Sequence, residues 1–252
     1  MKAIIQVKNL IKKYPTLTAV NDISFDVYED EIFGLLGPNG AGKTTTLEIM
    51  ETLREKTAGK VVIHGISVDK DPNEIKKIIG VQLQAAGYYP NLTLLELLGL
   101  FSGLYNVHIN PVEMLKKVGL QERLKAKYKE LSGGQKQRFS IATTLINNPK
   151  IIFLDEPTTG LDPQARRNLW SLIRDIRAQG TTVVITTHYM DEAETLCDRV
   201  AVMENGNIIT LDTPDNLIDK LVKSGFERNK EVKKANLEDV FLHLTGHEWR
   251  NE

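Results

Sequence analysis

The chain has almost no cysteine. Cys197 is the single one among 252 residues. One thiol cannot form an internal disulfide, so a small secreted fold held by disulfide staples is excluded. Cys197 itself reads as a small buried hydrophobe rather than a nucleophile. Net charge is nearly absent too: Lys+Arg 32 against Asp+Glu 33 leaves -1. A chain so balanced does not grip nucleic acid through its overall field, and no nucleic-acid partner is expected. Long hydrophobic runs are also missing. No stretch approaches about 18 uninterrupted apolar residues, so no transmembrane helix is expected. The most apolar region, residues 92–105, is broken by Glu96. The N-terminus alternates like a strand and lacks the apolar core of a signal peptide. There is no internal repeat and no low-complexity segment. A cytosolic chain is expected, with any membrane contact made through a partner.

What is present is an ordinary globular composition, 41% hydrophobic and 26% charged. That excludes disorder as the main state, as well as collagen-like and coiled-coil architectures. The length predicts one large domain or two small ones, with a core that needs no metal or disulfide.

Apolar runs bounded by turn residues predict strands at 4–10, 23–27, 32–36, 60–63, 80–83, 151–154, 182–186, 200–203 and 207–210. The runs at 151–154 and 182–186 do not alternate, as expected for parallel strands covered on both faces. Asn205-Gly206 between two such runs predicts a hairpin, because both residues tolerate positive φ. Helix starts are well marked. Asp71-Pro72, Asp162-Pro163 and Thr213-Pro214 each place proline at the first helical position. Thr93 with Glu96, and Ser132 with Gln135, have capping-box spacing. Leu94, Leu97, Leu98, Phe101 and Leu104 fall on one helical face, and Leu95 and Leu100 lie off it. Residues 84–148 read as almost purely helical and their flanks as α/β. A helical subdomain, about 85–148, is therefore expected inside an α/β core. A further helical signal lies at 236–245 in the C-terminal tail, 216–252.

Three motifs carry chemistry. Gly37-Pro38-Asn39-Gly40-Ala41-Gly42-Lys43-Thr44 has the spacing of a phosphate-binding loop, and a strand precedes it and a helix follows through Thr45. Such glycines let backbone N–H groups turn inward around phosphate oxygens, and the helix N-terminus adds partial positive charge. Lys43 reaches the β- and γ-phosphates in such loops, and the Thr44 hydroxyl coordinates Mg²⁺. Second, the apolar run 151–154 ends in Asp155-Glu156. Asp155 at a strand terminus suits Mg²⁺, and Glu156 suits a general base for an attacking water. Third, Leu131-Ser132-Gly133-Gly134-Gln135 opens a helix with glycines that allow a phosphate to approach closely. One chain thus carries two anion-ready helix starts but only one loop lysine.

In this order the three motifs resemble the ATP-binding cassette (ABC) family. The pentapeptide 131–135 matches the family's signature residue for residue, and the resemblance covers about residues 3–215. It implies an α/β phosphate-loop NTPase core with an N-terminal antiparallel β subdomain and an inserted α-helical subdomain, taking ATP and Mg²⁺. It also implies roles for several more residues. Gln84, preferred over the neighbouring Gln82, resembles the glutamine that contacts Mg²⁺ and the attacking water. Asp162, in Gly160-Leu161-Asp162, resembles the loop that crosses to a partner cassette. His188 resembles the switch histidine that contacts the γ-phosphate, and Tyr14 the aromatic that stacks on adenine. The other histidines match nothing in the family.

The tail resembles exporter-type cassettes for drugs, lipids, polysaccharides or ions. The resemblance therefore implies the ATP-hydrolysing subunit of an exporter. Two copies would sandwich two ATP molecules, each site taking the phosphate loop from one copy and Ser132–Gln135 from the other. Residues 85–105, with Tyr88 and Tyr89, are expected to dock on a separate integral-membrane permease. A cassette acting on ribosomes or DNA is the alternative. A GTPase switch would need Asn-Lys-x-Asp, and Asn229-Lys230-Glu231-Val232 lacks the aspartate.

Overall fold

The alternating N-terminal residues form long strands. In the computed structural model, which describes residues 2–82, 87–226, 240, 243 and 244, β1 (Ala3–Tyr14) and β2 (Leu17–Tyr28) make one antiparallel hairpin. β4 (Ala58–Ile63) pairs with β1, and the short β5 (Ile66–Ser67) with β4, in the order β2-β1-β4-β5. One face of this sheet buries Ile5, Val7, Val20, Phe25, Val27 and Val61. β1 and β2 run well past the apolar runs that signalled them. Polar residues such as Lys12, Lys13 and Thr18 still pair across the ladder, which hydrophobic patterning cannot reveal.

The second sheet has six strands in the order β10-β9-β3-β8-β7-β6. They are β3 (Ile32–Leu36), β6 (Ile79–Gln82), β7 (Ile151–Asp155), β8 (Thr182–Thr187), β9 (Arg199–Glu204) and β10 (Asn207–Asp212). All neighbours are parallel except β10 and β9, which form the hairpin expected at Asn205-Gly206 with φ of 47° and 78°. Every residue of β3, β7 and β8 is buried, as their unbroken apolar runs predicted. The C-terminal ends of β3, β8, β7 and β6 lie side by side. That edge is where an open α/β sheet binds ligands.

The helices are α1 (Lys43–Met50), α2 (Pro72–Ile78), α3 (Leu94–Tyr105), α4 (Pro111–Lys117), α5 (Gly133–Thr144), α6 (Pro163–Ala178), α7 (Met190–Leu196) and α8 (Pro214–Lys223). The predicted capping boxes at Thr93–Glu96 and Ser132–Gln135 are both formed. Among the described residues 87–150 there are helices and turns but no strand beyond an isolated bridge of Thr93 with Lys127. Two expectations here are corrected. Leu104, placed on the buried stripe of α3, is 72% exposed, because the helix runs on past the core that covers Leu94, Leu97 and Leu98. Tyr88, expected at the surface, is half-buried. Its ring packs on Phe101, Tyr128 and Phe139, and its hydroxyl meets Ser140 and Thr143. In the tail, Val240 is buried and joins the core that holds Leu217 and Leu221. The rest of the helix expected at 236–245, apart from His243 and Leu244, lies outside the described residues. Cys197 is buried, and burial pushes its thiol well above the ordinary range, so it packs rather than reacts.

Candidate active site

β3 ends at Leu36 and the glycine-rich segment turns directly into α1. Gly42 caps that helix with φ 99° and no side-chain cap, so the first N–H groups of α1 are left for a ligand. A Cβ on Gly42 would lie 2.4 Å from the Ala19 carbonyl oxygen, so the loop and strand β2 approach this closely only with glycine there. Lys43 begins α1 and is 4% exposed. Its Nζ donates to the carbonyl oxygens of Gly37 at 2.8 Å and Pro38 at 3.1 Å, and lies 3.5 Å from Glu156 Oε1. Burial pushes the Lys43 ammonium below its ordinary range, and the Glu156 carboxylate works against that.

Asp155 closes β7 beside β8. The Thr44 hydroxyl sits 3.3 and 3.2 Å from its two carboxylate oxygens, and the Thr186 hydroxyl donates to Oδ1. Burial raises the Asp155 carboxyl, while the two threonine hydrogen bonds favour its charged form. A hydroxyl and a carboxylate side by side form a hard, all-oxygen donor pair. Mg²⁺, which keeps several waters and takes its remaining ligands from substrate phosphates, fits such a pair.

Glu156 follows in the left-handed conformation, φ 47°. That backbone costs a non-glycine residue about 1 kcal/mol or more and persists only where the surroundings hold it. Here its N–H donates to the Thr186 carbonyl and hydroxyl oxygens at 3.2 and 3.0 Å. The turn aims the side chain inward, where it is 9% exposed. Oε2 accepts from the Thr159 hydroxyl at 3.2 Å and lies 3.1 Å from His188 Nδ1. His188 comes from the end of β8 and its ring leans on Tyr189, with centroids 4.1 Å apart. A buried carboxylate between a lysine and a histidine, at the mouth of a phosphate loop, is placed to take a proton from a water.

Lys43, Thr44, Glu156 and His188 share one cleft of about 510 Å³, lined also by Tyr14, Asn39, Gly40 and Thr45, and Asp155 adjoins it through Thr44. Tyr14 comes from the end of β1, and the cations of Lys12 and Arg54 lie 5.1 and 5.6 Å from its ring centre. The structure therefore brings together the phosphate loop, Asp155, Glu156, His188 and Tyr14. It does not bring Ser132, Gly133, Gly134 or Gln135 to that cleft. Ser132 and Gly133 stand exposed at the start of α5. Ser132 Oγ accepts from the Gln135 N–H at 3.3 Å and Gln135 Oε1 from the Ser132 N–H at 3.0 Å. Asp162 is exposed and caps α6 by accepting from the N–H groups of Gln164 and Ala165. Gln84 lies outside the described residues.

Sequence reading missed Thr186, which holds Asp155 through its side chain and Glu156 through both its side-chain and backbone oxygens. It sits inside an ordinary apolar strand, and no local pattern marks it. Glu51, at the C-terminal cap of α1, was missed too, because an acid at a helix end reads as solvated. It is 2% exposed, and burial, with Asp155 nearby, pushes its carboxyl up to about 8.

An open parallel sheet with a glycine-rich loop, an oxygen pair and a buried carboxylate at its C-terminal edge defines a phosphate-loop nucleoside triphosphatase. Residues 20–159 match the family described as ABC transporter, and the chain belongs to that family. It is 35% identical over 299 residues to the Nod factor export ATP-binding protein I of Burkholderia orbicola, covering 98% of each chain. A solved ATP-binding subunit of an ABC transporter superposes with a TM-score of 0.81 at 28% identity, covering 96% of this chain and 99% of that one. A dimeric ATP-binding cassette in a post-hydrolysis state bound to ADP and Pi superposes with a TM-score of 0.74 at 29% identity, covering 83% of this chain and 98% of the other. As an ABC cassette, the chain is an ATPase.

Proposed function

We propose that this chain is the ATP-hydrolysing subunit of an exporter-type ABC transporter. It powers a separate membrane permease by closing on a second copy of itself around two ATP molecules. Residues 1–215 are the ATPase domain, with the helical subdomain at about 85–148, and 216–252 are a C-terminal tail. One observation carries the reading: α5 offers an exposed, glycine-rich N-terminus that its own cleft does not use. A second copy gives that N-terminus a phosphate to bind. The export assignment rests on the similarity to a Nod factor export protein, and the paired arrangement on the dimeric cassette. Nothing found favours a cassette acting on ribosomes or DNA.

In this reading Tyr14 stacks on the base, and the N–H groups of Gly37–Thr45 together with Lys43 hold the phosphates. Thr44 and Asp155 hold Mg²⁺, which offsets the charge of the phosphate oxygens. Glu156 accepts the proton of the attacking water. His188 orients Glu156 and faces the γ-phosphate, and Gln84 completes the site. Ser132, Gly133, Gly134 and Gln135 close over the opposite copy's nucleotide, with Asp162 in the loop that crosses between copies.

Ser132→Arg tests the trans arrangement. Titration of the monomer should show ATP affinity within about twofold of wild type, because Ser132 lies outside the cleft, while turnover is lost. Weakened ATP binding by the monomer would put Ser132 in its own site and overturn the reading.

The chain sits at the cytoplasmic face of the membrane, held there by its permease. The docking surface includes the exposed apolar side chains of Tyr89, Leu100, Leu104 and Tyr105, which are 65%, 40%, 72% and 43% exposed. Apolar surface left open to solvent is what an interaction site offers. Tyr88 is not part of it, since its ring packs inside. Leu104→Ala with Tyr105→Ala should keep the isolated subunit's ATPase near wild type and abolish co-purification with the permease. Intact assembly would remove α3 from the interface.

A further inference from the structure

Five residues beyond Ser132, the same helix carries Gln137, whose amide is used at both ends. Nε2 donates to the Pro157 carbonyl oxygen at 2.7 Å, and Oε1 accepts from Gln82 Nε2 at 3.1 Å. Gln82 is the last residue of β6, is 3% exposed, and lies two residues before Gln84. Pro157 directly follows Glu156. One side chain therefore joins three segments: the signature helix α5, the strand leading to Gln84, and the loop that carries the general base.

The join to Pro157 acts on Glu156 through the backbone. On the N-terminal side, Glu156 is anchored by its N–H to Thr186 of β8. On the C-terminal side, the next carbonyl is anchored to α5 by Gln137. Glu156 stands between these anchors in a left-handed conformation that its surroundings must hold. A displacement of α5 relative to β8 changes the separation of the anchors and so turns the carboxylate. α5 is also the element whose N-terminus meets the other copy's nucleotide in the reading above.

We infer that Gln137 is a positioning residue that couples the two ATP sites. Nucleotide seated against Ser132 fixes α5, and Gln137 passes that placement to the Glu156 loop of the same chain. Each copy's base is then set only when that copy's signature helix holds its partner's ATP. This rests on the sandwich arrangement proposed above. Gln137 is not among the residues that line the cleft, so its effect falls on turnover and cooperativity rather than on ATP affinity.

Steady-state ATPase of the full chain tests this with two variants of similar size. Gln137→Met removes both hydrogen bonds. Gln137→Glu keeps an acceptor for Gln82 but sets a carboxylate against the Pro157 carbonyl. Both should retain monomer ATP affinity within about twofold and lose about tenfold in kcat, the scale of one positioned hydrogen bond. The Hill coefficient should fall from about 2, the number of coupled sites, towards 1. A purely packing role would be met by methionine, leaving both values at wild type, and that result overturns the inference. So does a loss of kcat with cooperativity intact, or a wild-type enzyme that shows no cooperativity. Size exclusion of Glu156→Gln with ATP separates the two layers. If that variant never dimerises, the sandwich itself fails. If it dimerises and Gln137→Met remains cooperative, only the coupling role of Gln137 fails. Glu156→Gln combined with Gln137→Met should still dimerise, because Gln137 acts on turnover and not on the sandwich.

Discussion

Replacing Glu156 with Gln should leave ATP binding near wild type and slow hydrolysis by about 10²–10⁴-fold, the range for loss of a general base. The amide preserves side-chain shape and can still accept a hydrogen bond from Thr159, which donates to Oε2 in the native site. It cannot take up the proton of the attacking water. The negative charge 3.5 Å from Lys43 also disappears, so the ammonium is not held back from the phosphates. Binding is therefore retained and turnover lost, and the ATP-bound dimer should accumulate. Size-exclusion chromatography with MgATP reads the dimer, and phosphate release reads the rate. Wild-type turnover in this variant would show that Glu156 is not the base.

Lys43→Ala should remove most of the stabilisation that MgATP gives the folded chain. At about 100 times its dissociation constant a ligand stabilises by about 2.7 kcal/mol. For a chain of this size that is a rise of about 5–10 °C in melting temperature. Lys43 is the only loop side chain with a positive charge, and its ammonium is already desolvated, at 4% exposure, which pushes its pKa down. A γ-phosphate arriving there meets a cation with little hydration to lose. The shift between nucleotide-free and MgATP-bound protein is the quantity to compare. The unliganded variant has its own baseline, because Glu156 loses its ion-pair partner. An undiminished shift would take Lys43 out of phosphate binding.

Much of the candidate site was legible because its parts are short and contiguous. The loop 37–44 carries its own turn geometry, and 151–156 announces a buried parallel strand that ends in two acids. Ser132 with Gln135 announces a helix cap. Each is decided by backbone preference and hydrogen bonding within a few residues. Side-chain placement was less legible where tertiary packing overrides local pattern. Tyr88 and Tyr89 are adjacent aromatics in one turn. One packs against Phe101, Tyr128 and Phe139, and the other faces solvent. Leu104 continues a flawless apolar stripe into space the core does not reach.

By itself the amino-acid sequence determined the buried parallel strands and the marked helix starts, the chemistry of the phosphate loop and the two acids, and the family these identify. Those features follow from residue type and short-range spacing, which act wherever the chain goes. Only the tertiary structure decided which distant groups meet. The strand order β3-β8-β7-β6 puts Lys43, Asp155, Glu156 and His188 at one edge. Thr186 reaches two acids from a neighbouring strand, and Gln137 reaches Gln82 and Pro157, which lie 55 and 20 residues away along the chain. Contacts at such separations depend on how the sheets and helices close on one another, and no local pattern records that.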